Sequence, residues 1–212
     1  MNAHPSAARS SFQPRGGGND DRGVGTWGRR AQPSGWWGMA LLIATEATFF
    51  ACLIATYFYL RFKASEWPLG GIEDPSVVLP LVFTGGLLAA SLPVFLAVRA
   101  AKRGEARRAW WLLALATAIQ ATYLGLQIHL FVSDMNSFSP QQNAYSSIYF
   151  TLLGVHHAHV AVGLTLDSWL LWKLWRGLTG YRLIALRATA LYWYFVNFAA
   201  LAVVLTQLSP SL

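Results

Sequence analysis

The chain has 212 residues, 55% of them hydrophobic and only 12% charged, with a formal net charge of +7. Soluble domains carry about a quarter charged residues, and here the shortfall falls in long windows almost free of charge, which excludes a soluble globular domain. A membrane β-barrel would show alternating segments of roughly ten residues, and none occur; the single cysteine, Cys52, excludes an internal disulfide and argues against a cysteine-based metal site.

Residues 1–34 are dominated by Gly, Ser, Pro and Arg with no apolar period, so they cannot bury enough surface to order themselves. They lack the apolar core of a signal peptide. A flexible, basic cytoplasmic arm is the expectation. Residues 35–212 then hold five windows long enough to cross ~30 Å of hydrocarbon, which takes roughly 20 residues. They lie near 38–60, 77–98, 110–132, 148–172 and 188–208. The predicted fold class is all-α, a polytopic membrane bundle of five transmembrane helices.

Lys and Arg fix the expected orientation. Five precede the first span (Arg9, Arg15, Arg22, Arg29, Arg30), two follow it (Arg61, Lys63), and five lie between spans two and three (Arg99, Lys102, Arg103, Arg107, Arg108). The third loop has none, the fourth has Lys173, Arg176, Arg182 and Arg187, and the C-terminus has none, so alternate sides carry 14 and 2. Lys/Arg-rich loops stay on the cytoplasmic side, which predicts an N-terminus inside and a C-terminus outside. Anionic lipid is the expected neighbour of this charge, and nucleic acid need not be invoked.

Span one opens on Trp36 and Trp37, at the depth of an aromatic belt, where they are candidate lipid headgroup contacts; Arg61 and Lys63 are candidates at the other face. Within the span Glu46 is the one ionisable group besides Cys52 and the tyrosines. Span two carries Gly85–Gly86, read as a weak signal of close packing, and Pro80 and Pro93, read as a kink. Span three contributes Gln120, Gln127 and His129; span four contributes His156, His157, His159 and Asp167; span five contributes Asn197.

Ionisable groups inside a span are costly and usually face protein or a cavity. At ~1.5 Å per residue, Glu46, His159 and Asn197 come from three helices to one level, roughly 12–14 Å from the inner face. At 100° per residue His156, His159, Gly163 and Asp167 form one stripe, with His157 pointing away from it. Asp167 sits near the inner end of span four, where Lys173 or water would meet it. Metal ligation by His156 and His159 would want a third or fourth ligand; Glu46 has the depth for it, and His129 is the one histidine outside span four within a span. Without a CxxC, HExxH or paired ExxH motif, hydrogen-bonded packing is the expected role of these histidines, and no metal site is assigned.

Four motifs in series resemble subunit III of the haem–copper cytochrome c oxidases, in its short bacterial five-helix form. GMALLIATEATFFACLIATYF resembles that family's Glu-x-x-Phe-Phe helix, and YLGLQ its Gln-bearing helix. GVHHAHVAVG resembles its Gly-Phe-His-Gly-x-His-Val-x-x-Gly helix, and YWYFVNF its Tyr-Trp-His-Phe-Val-Asp segment. The resemblance runs from about Gly38 to Leu208. It places the family's buried glutamate on Glu46 and its two histidines on His156 and His159, with Gln127 and Asn197 as further matching polar positions. Departures are His157 for a glycine, Leu130 for a glutamate, and Tyr194 and Asn197 for His and Asp.

The resemblance implies a non-catalytic subunit of an oxygen-reducing, proton-pumping terminal oxidase in the bacterial cytoplasmic (inner) membrane. Such a subunit binds no haem or copper, which sit in partner subunits. It packs against the catalytic subunit I, in a complex with the copper-binding subunit II, holds structural phospholipids, and sustains proton uptake and turnover. Glu46 and His159 are the expected pair. The alternatives are a subunit III-like component of a quinol oxidase or nitric oxide reductase, or a free-standing transporter or membrane cytochrome.

Overall fold

A computed structural model of the chain describes residues 34–70, 72 and 78–209. The arm expected over residues 1–34 lies outside them except for Ser34, which opens the first helix. The helices are α1 (Ser34–Lys63), α2 (Val78–Ala89), α3 (Ser91–Lys102), α4 (Ala106–Ser137), α5 (Ala144–Trp175) and α6 (Gly180–Leu208). Among the described residues every regular element is a helix. Helices α2 and α3 form one apolar run, Val78–Lys102, so five stretches are long and apolar enough to cross a membrane.

The break inside that run has a local cause. Pro93 has no N–H, so the carbonyl four residues before it loses its helical donor. The backbone bends there without leaving the right-handed region, Ala90 having φ −62° and ψ −17°. Val94 N then resumes the ladder on Ala90 O at 3.4 Å.

Helix ends overshoot the hydropathy windows because capping, not hydrophobicity, sets them. Asn143 caps α5: its Oδ1 accepts from Ser146 N at 2.8 Å, while its Nδ2 donates to Leu69 O at 3.0 Å and ties the first loop to the helix start. Thr179 caps α6 through Arg182 N at 3.3 Å. Each cap satisfies backbone donors that the helix itself leaves open. Gly177, at φ +104°, ends α5 in a conformation that favours glycine.

Helices α5 and α6 carry most of the core, packing on each other and on α1, α3 and α4. In lipid there is no hydrophobic drive between helices, so close fit and interhelical hydrogen bonds hold them. At one end Ala97, Ala100, Ala101 and Ala109 let α3 and α4 approach beneath Leu170 and Leu174. At the other, Phe50 and Tyr57 of α1 meet Tyr145, Tyr149, Phe150 and Leu152 of α5. Trp67 closes that end, donating from Nε1 to Tyr57 Oη at 3.0 Å with its ring edge-on to Tyr145.

Helix α1 buries only Phe50 and Tyr57 outright. Glu46, Phe50, Leu53 and Tyr57 fall on one helical stripe, which is the stripe turned toward α5 and α6. On its exposed side Thr45, Thr48 and Thr56 donate their hydroxyls back to Leu42, Ala44 and Cys52 carbonyls. Those hydroxyls therefore cost little in an apolar surround.

Candidate functional site

Polar side chains at His156, His159 and Asp167 make α5 the centre of a polar seam, and each is met by a different neighbour. His159 Nδ1 lies 2.8 Å from Val155 O, and its Nε2 lies 3.1 Å from Glu46 Oε2. A carbonyl only accepts, so Nδ1 carries a proton. Nε2 then either accepts from a protonated Glu46 or donates, as part of an imidazolium, to its carboxylate. In both arrangements one proton sits between Glu46 and His159, and the pair has no net charge. That neutrality is what allows it inside a membrane helix pair.

The pair is also where three helices join. The His159 ring lies 5.1 Å from that of Phe50 on α1 and 6.4 Å from that of Phe195 on α6. Tyr192 Oη on α6 donates to the His159 carbonyl at 2.9 Å. Glu46 and His159 keep 31% and 16% of their side-chain surface exposed, so the junction lies at the edge of the bundle, open to a partner chain or lipid.

His156 faces α4 instead. Gln127 Nε2 donates to Tyr123 Oη at 3.2 Å, which leaves the tyrosine proton for His156 Nε2, also at 3.2 Å. Gln127 and His156 are thus joined through Tyr123, a residue the sequence did not single out. His157 is buried too, its ring edge-on to Phe131 of α4 at 5.5 Å. His129 is exposed. Among the described residues no three His, Cys, Asp or Glu side chains gather as a metal site, and the Nε2 atoms of His156 and His159 already face Tyr123 and Glu46.

The sequence grouped Asn197 with Glu46 and His159 by depth; the structure gives it a different partner. Asn197 Nδ2 donates to Ser91 Oγ at 2.6 Å, pinning α6 to the first residue after the break. A rise per residue predicts level and says nothing of direction, and Asn197 points to α3. Tyr194 is exposed.

Asp167 is a correction. The contact expected for it with Lys173 or water is not made: Asp167 is fully buried against α4, and Lys173 lies over the Trp172 ring at 4.7 Å. With the Gln120 amide turned so that nitrogen faces it, Gln120 donates to Asp167 Oδ2 at 3.0 Å and to Ala116 O at 3.1 Å. Thr117 Oγ1 is 3.4 Å from the same oxygen but only 2.8 Å from Leu113 O, so its single proton goes chiefly to the carbonyl. Asp167→Ala strands the Gln120 amide in the core and is expected to destabilise the chain by about 1–3 kcal/mol. Asp167→Asn keeps an acceptor for Gln120 and is expected to recover most of that loss. Thermal melts of the two variants in detergent check this; equal melting of both with the parent chain would contradict it.

A further carboxylate escaped the sequence reading. Tyr149 Oη donates to Asp134 Oδ2 at 2.8 Å, linking α4 to α5 just before the loop that joins them. The available signal was the lone acid between Glu105 and Asp167.

The remaining candidates sit at helix ends. Arg61 Nη1 donates to Ser209 Oγ at 2.6 Å, joining α1 to the end of α6, and Lys63 lies over the Tyr59 ring at 5.7 Å. Trp36 and Trp37 pack edge to face at 5.0 Å at the other end of α1, with Trp37 exposed. Among the described residues this distribution matches no hydrolytic or phosphate-binding constellation; apart from the Trp36–Trp37 and Lys63–Tyr59 contacts within α1, it is a set of interhelical ties.

Known proteins resemble this chain in sequence. A family model described as "Cytochrome c oxidase subunit III" matches residues 25–207. Subunit 3 of the cytochrome bo(3) ubiquinol oxidase of Pseudomonas aeruginosa is 32% identical over 164 residues, covering 76% of this chain and 77% of that protein. Cytochrome c oxidase subunit 3 of Bacillus sp. strain PS3 is 30% identical over 169 residues, covering 76% and 78%. Quinol oxidase subunit 3 of Bacillus subtilis strain 168 is 29% identical over 167 residues, covering 76% and 79%. With its five membrane-type helices and a family match across most of its length, this chain is a multi-pass membrane protein that belongs to the cytochrome c oxidase subunit III family.

Proposed function

We propose that this chain is the non-catalytic third subunit of a bacterial aerobic terminal oxidase and supports the assembly and sustained turnover of the oxygen-reducing complex. The observation that carries the reading is the Glu46–His159 contact at 3.1 Å, set in a chain whose family match spans residues 25–207. The polar groups of the membrane helices tie helix to helix, which is what a subunit serving as a scaffold requires. Haem and copper belong to the partner subunits. Subunit I is the partner chain, in a complex with the copper-binding subunit II, and the exposed side of α1 beside Glu46 is a surface such a partner or a structural phospholipid would cover.

The location is the bacterial inner membrane, with the N-terminus in the cytoplasm. Fourteen of the 16 basic residues fall on that side in this arrangement, as the positive-inside tendency requires. Two of the relatives are subunits of quinol oxidases, so ubiquinol stands beside cytochrome c as the electron donor of the complex.

The test is a mild-detergent pull-down through a C-terminal tag, with a reduced-minus-oxidised visible spectrum and mass identification of partners. Haem absorption with subunits I and II in stoichiometric amounts is expected. Haem a supports the cytochrome c branch, and haem b without haem a supports a quinol oxidase. A haem-free chain eluting alone would overturn the proposal.

A further inference from the structure

Four aromatic side chains at the end of the bundle away from Trp36 touch in series. They are Tyr57 of α1, Trp67 of the first loop, and Tyr145 and Tyr149 of α5, with successive ring centroids 5.3, 5.0 and 5.8 Å apart. Aromatic rings are in contact at separations of about 4.5–7 Å. Tyr57 and Tyr145 are fully buried and Tyr149 nearly so, whereas Trp67 is half-buried, so the series reaches the surface at Trp67.

Packing alone does not call for hydroxyls in this layer. Phe138 packs on Tyr145 and Tyr149, and Phe150 packs on Tyr149, with no polar atom in their side chains. The polar atoms of the series are instead given partners. Trp67 Nε1 donates to Tyr57 Oη at 3.0 Å, and Tyr149 Oη donates to Asp134 Oδ2 at 2.8 Å. Gln207 Nε2 donates to the Tyr149 carbonyl at 3.3 Å and holds that turn of α5 against α6. Among the described residues no cation pairs with Asp134.

Tyrosine and tryptophan give up one electron far more readily than phenylalanine. A tyrosine that has lost an electron is strongly acidic, so the electron leaves most easily when a base already holds the proton. A carboxylate accepts and does not donate, and Asp134 stands on the Tyr149 hydroxyl in advance. Tyr149 is therefore the place where an oxidising equivalent would settle, and Trp67 the place where it would enter.

We propose that Trp67, Tyr57, Tyr145 and Tyr149 form a relay that draws one-electron oxidants away from the rest of the assembly and ends on Tyr149. The oxidant is an oxygen-derived radical; it takes one electron from Trp67, which is refilled through Tyr145 from Tyr149. The O–H bond of Tyr149 breaks, its proton joins Asp134 Oδ2, and a neutral tyrosyl radical remains. One electron from a small-molecule reductant, with the proton returned by Asp134, restores the phenol. The use of the relay rests on the oxygen-reducing setting proposed above, while its chemistry belongs to these side chains alone.

Flash photo-oxidation tests it on the full-length chain in the assembly with which it purifies. A water-soluble ruthenium(II) sensitiser with persulfate as electron acceptor supplies the oxidant, and electron paramagnetic resonance reads the radical in samples frozen after the flash. A persistent tyrosyl component is expected in the parent chain and its loss in Tyr149→Phe. Asp134→Asn keeps an acceptor for the hydroxyl but removes the base, and Trp67→Phe keeps a ring but removes the entry point. Both are expected to lose the component too, and they separate loss of the relay from misfolding of the Tyr149 variant. Tyr181→Phe, exposed at the other end of the bundle, is expected to leave it unchanged. Survival of the component in Tyr149→Phe would overturn the proposal, as would its full retention in Asp134→Asn or an equal loss in Tyr181→Phe. The expected pattern in an assembly without haem would leave the relay standing and the oxidase reading fallen.

Discussion

Gly163→Ala is expected to destabilise the bundle, although alanine is ordinarily the better helix former by up to ~1 kcal/mol. A Cβ built on Gly163 would stand 2.6 Å from Trp193 Cζ2, 2.9 Å from Cη2 and 3.0 Å from Cε2. Trp193 is fully buried, so its ring has no vacant space to enter, and either the indole or the α5–α6 spacing must shift. Overpacking of this kind costs about 1–3 kcal/mol. Two contacts flank the crowded point, Glu46–His159 on one side and Asp167–Gln120 on the other, so the strain falls on both. The sign of the effect decides the matter: a melting temperature in detergent that falls supports the packing, and one that holds or rises contradicts it. Trp193→Phe removes the clashing ring edge, so the double variant is expected to lose less than the two single losses together.

Glu46→Ala acts on the helix least held by the core. Helix α1 buries two residues outright, and its one hydrogen bond to the middle of α5 is the contact with His159. Removing the carboxyl leaves His159 Nε2 without a partner between Phe50 and Phe195. Interhelical hydrogen bonds in membranes are worth on average about 0.6 kcal/mol, with a maximum near 1.7. A loss of about 1 kcal/mol is therefore expected, seen as weaker retention of the chain in its complex. Glu46→Gln separates the hydrogen bond from the acid: its amide can donate to Nε2, so retention is expected to stay near that of the parent chain. Equal weakening by both substitutions would show that the acid, not the bond, matters.

The five spans were legible in the sequence because their apolar windows are long and the charges between them few. Helix ends were less so, since Asn143 and Thr179 set them by hydrogen bonds that hydropathy does not register. The Glu46–His159 pairing followed from depth and family pattern together. Asn197 shows where that reasoning stops, because depth fixes a level and the helix azimuth selected Ser91. The partners of Asp167 were not legible because Gln120 and Thr117 look like ordinary residues of an apolar helix until α4 is docked on α5. Glycine alone was equally uninformative. A Cβ at Gly85 or Gly86 would meet nothing within 4 Å, whereas at Gly163 it would strike Trp193; the difference lies in the facing side chain, which is tertiary information.

The most direct test of a non-catalytic, supporting role is a continuous oxygen-uptake trace from purified complexes carrying either the parent chain or the Glu46→Ala chain, normalised to haem. The same initial rate per haem followed by an earlier decline in the variant is the predicted result. An initial rate that falls in proportion to the substitution, with an unchanged time course, would place Glu46 in the chemistry and contradict the account.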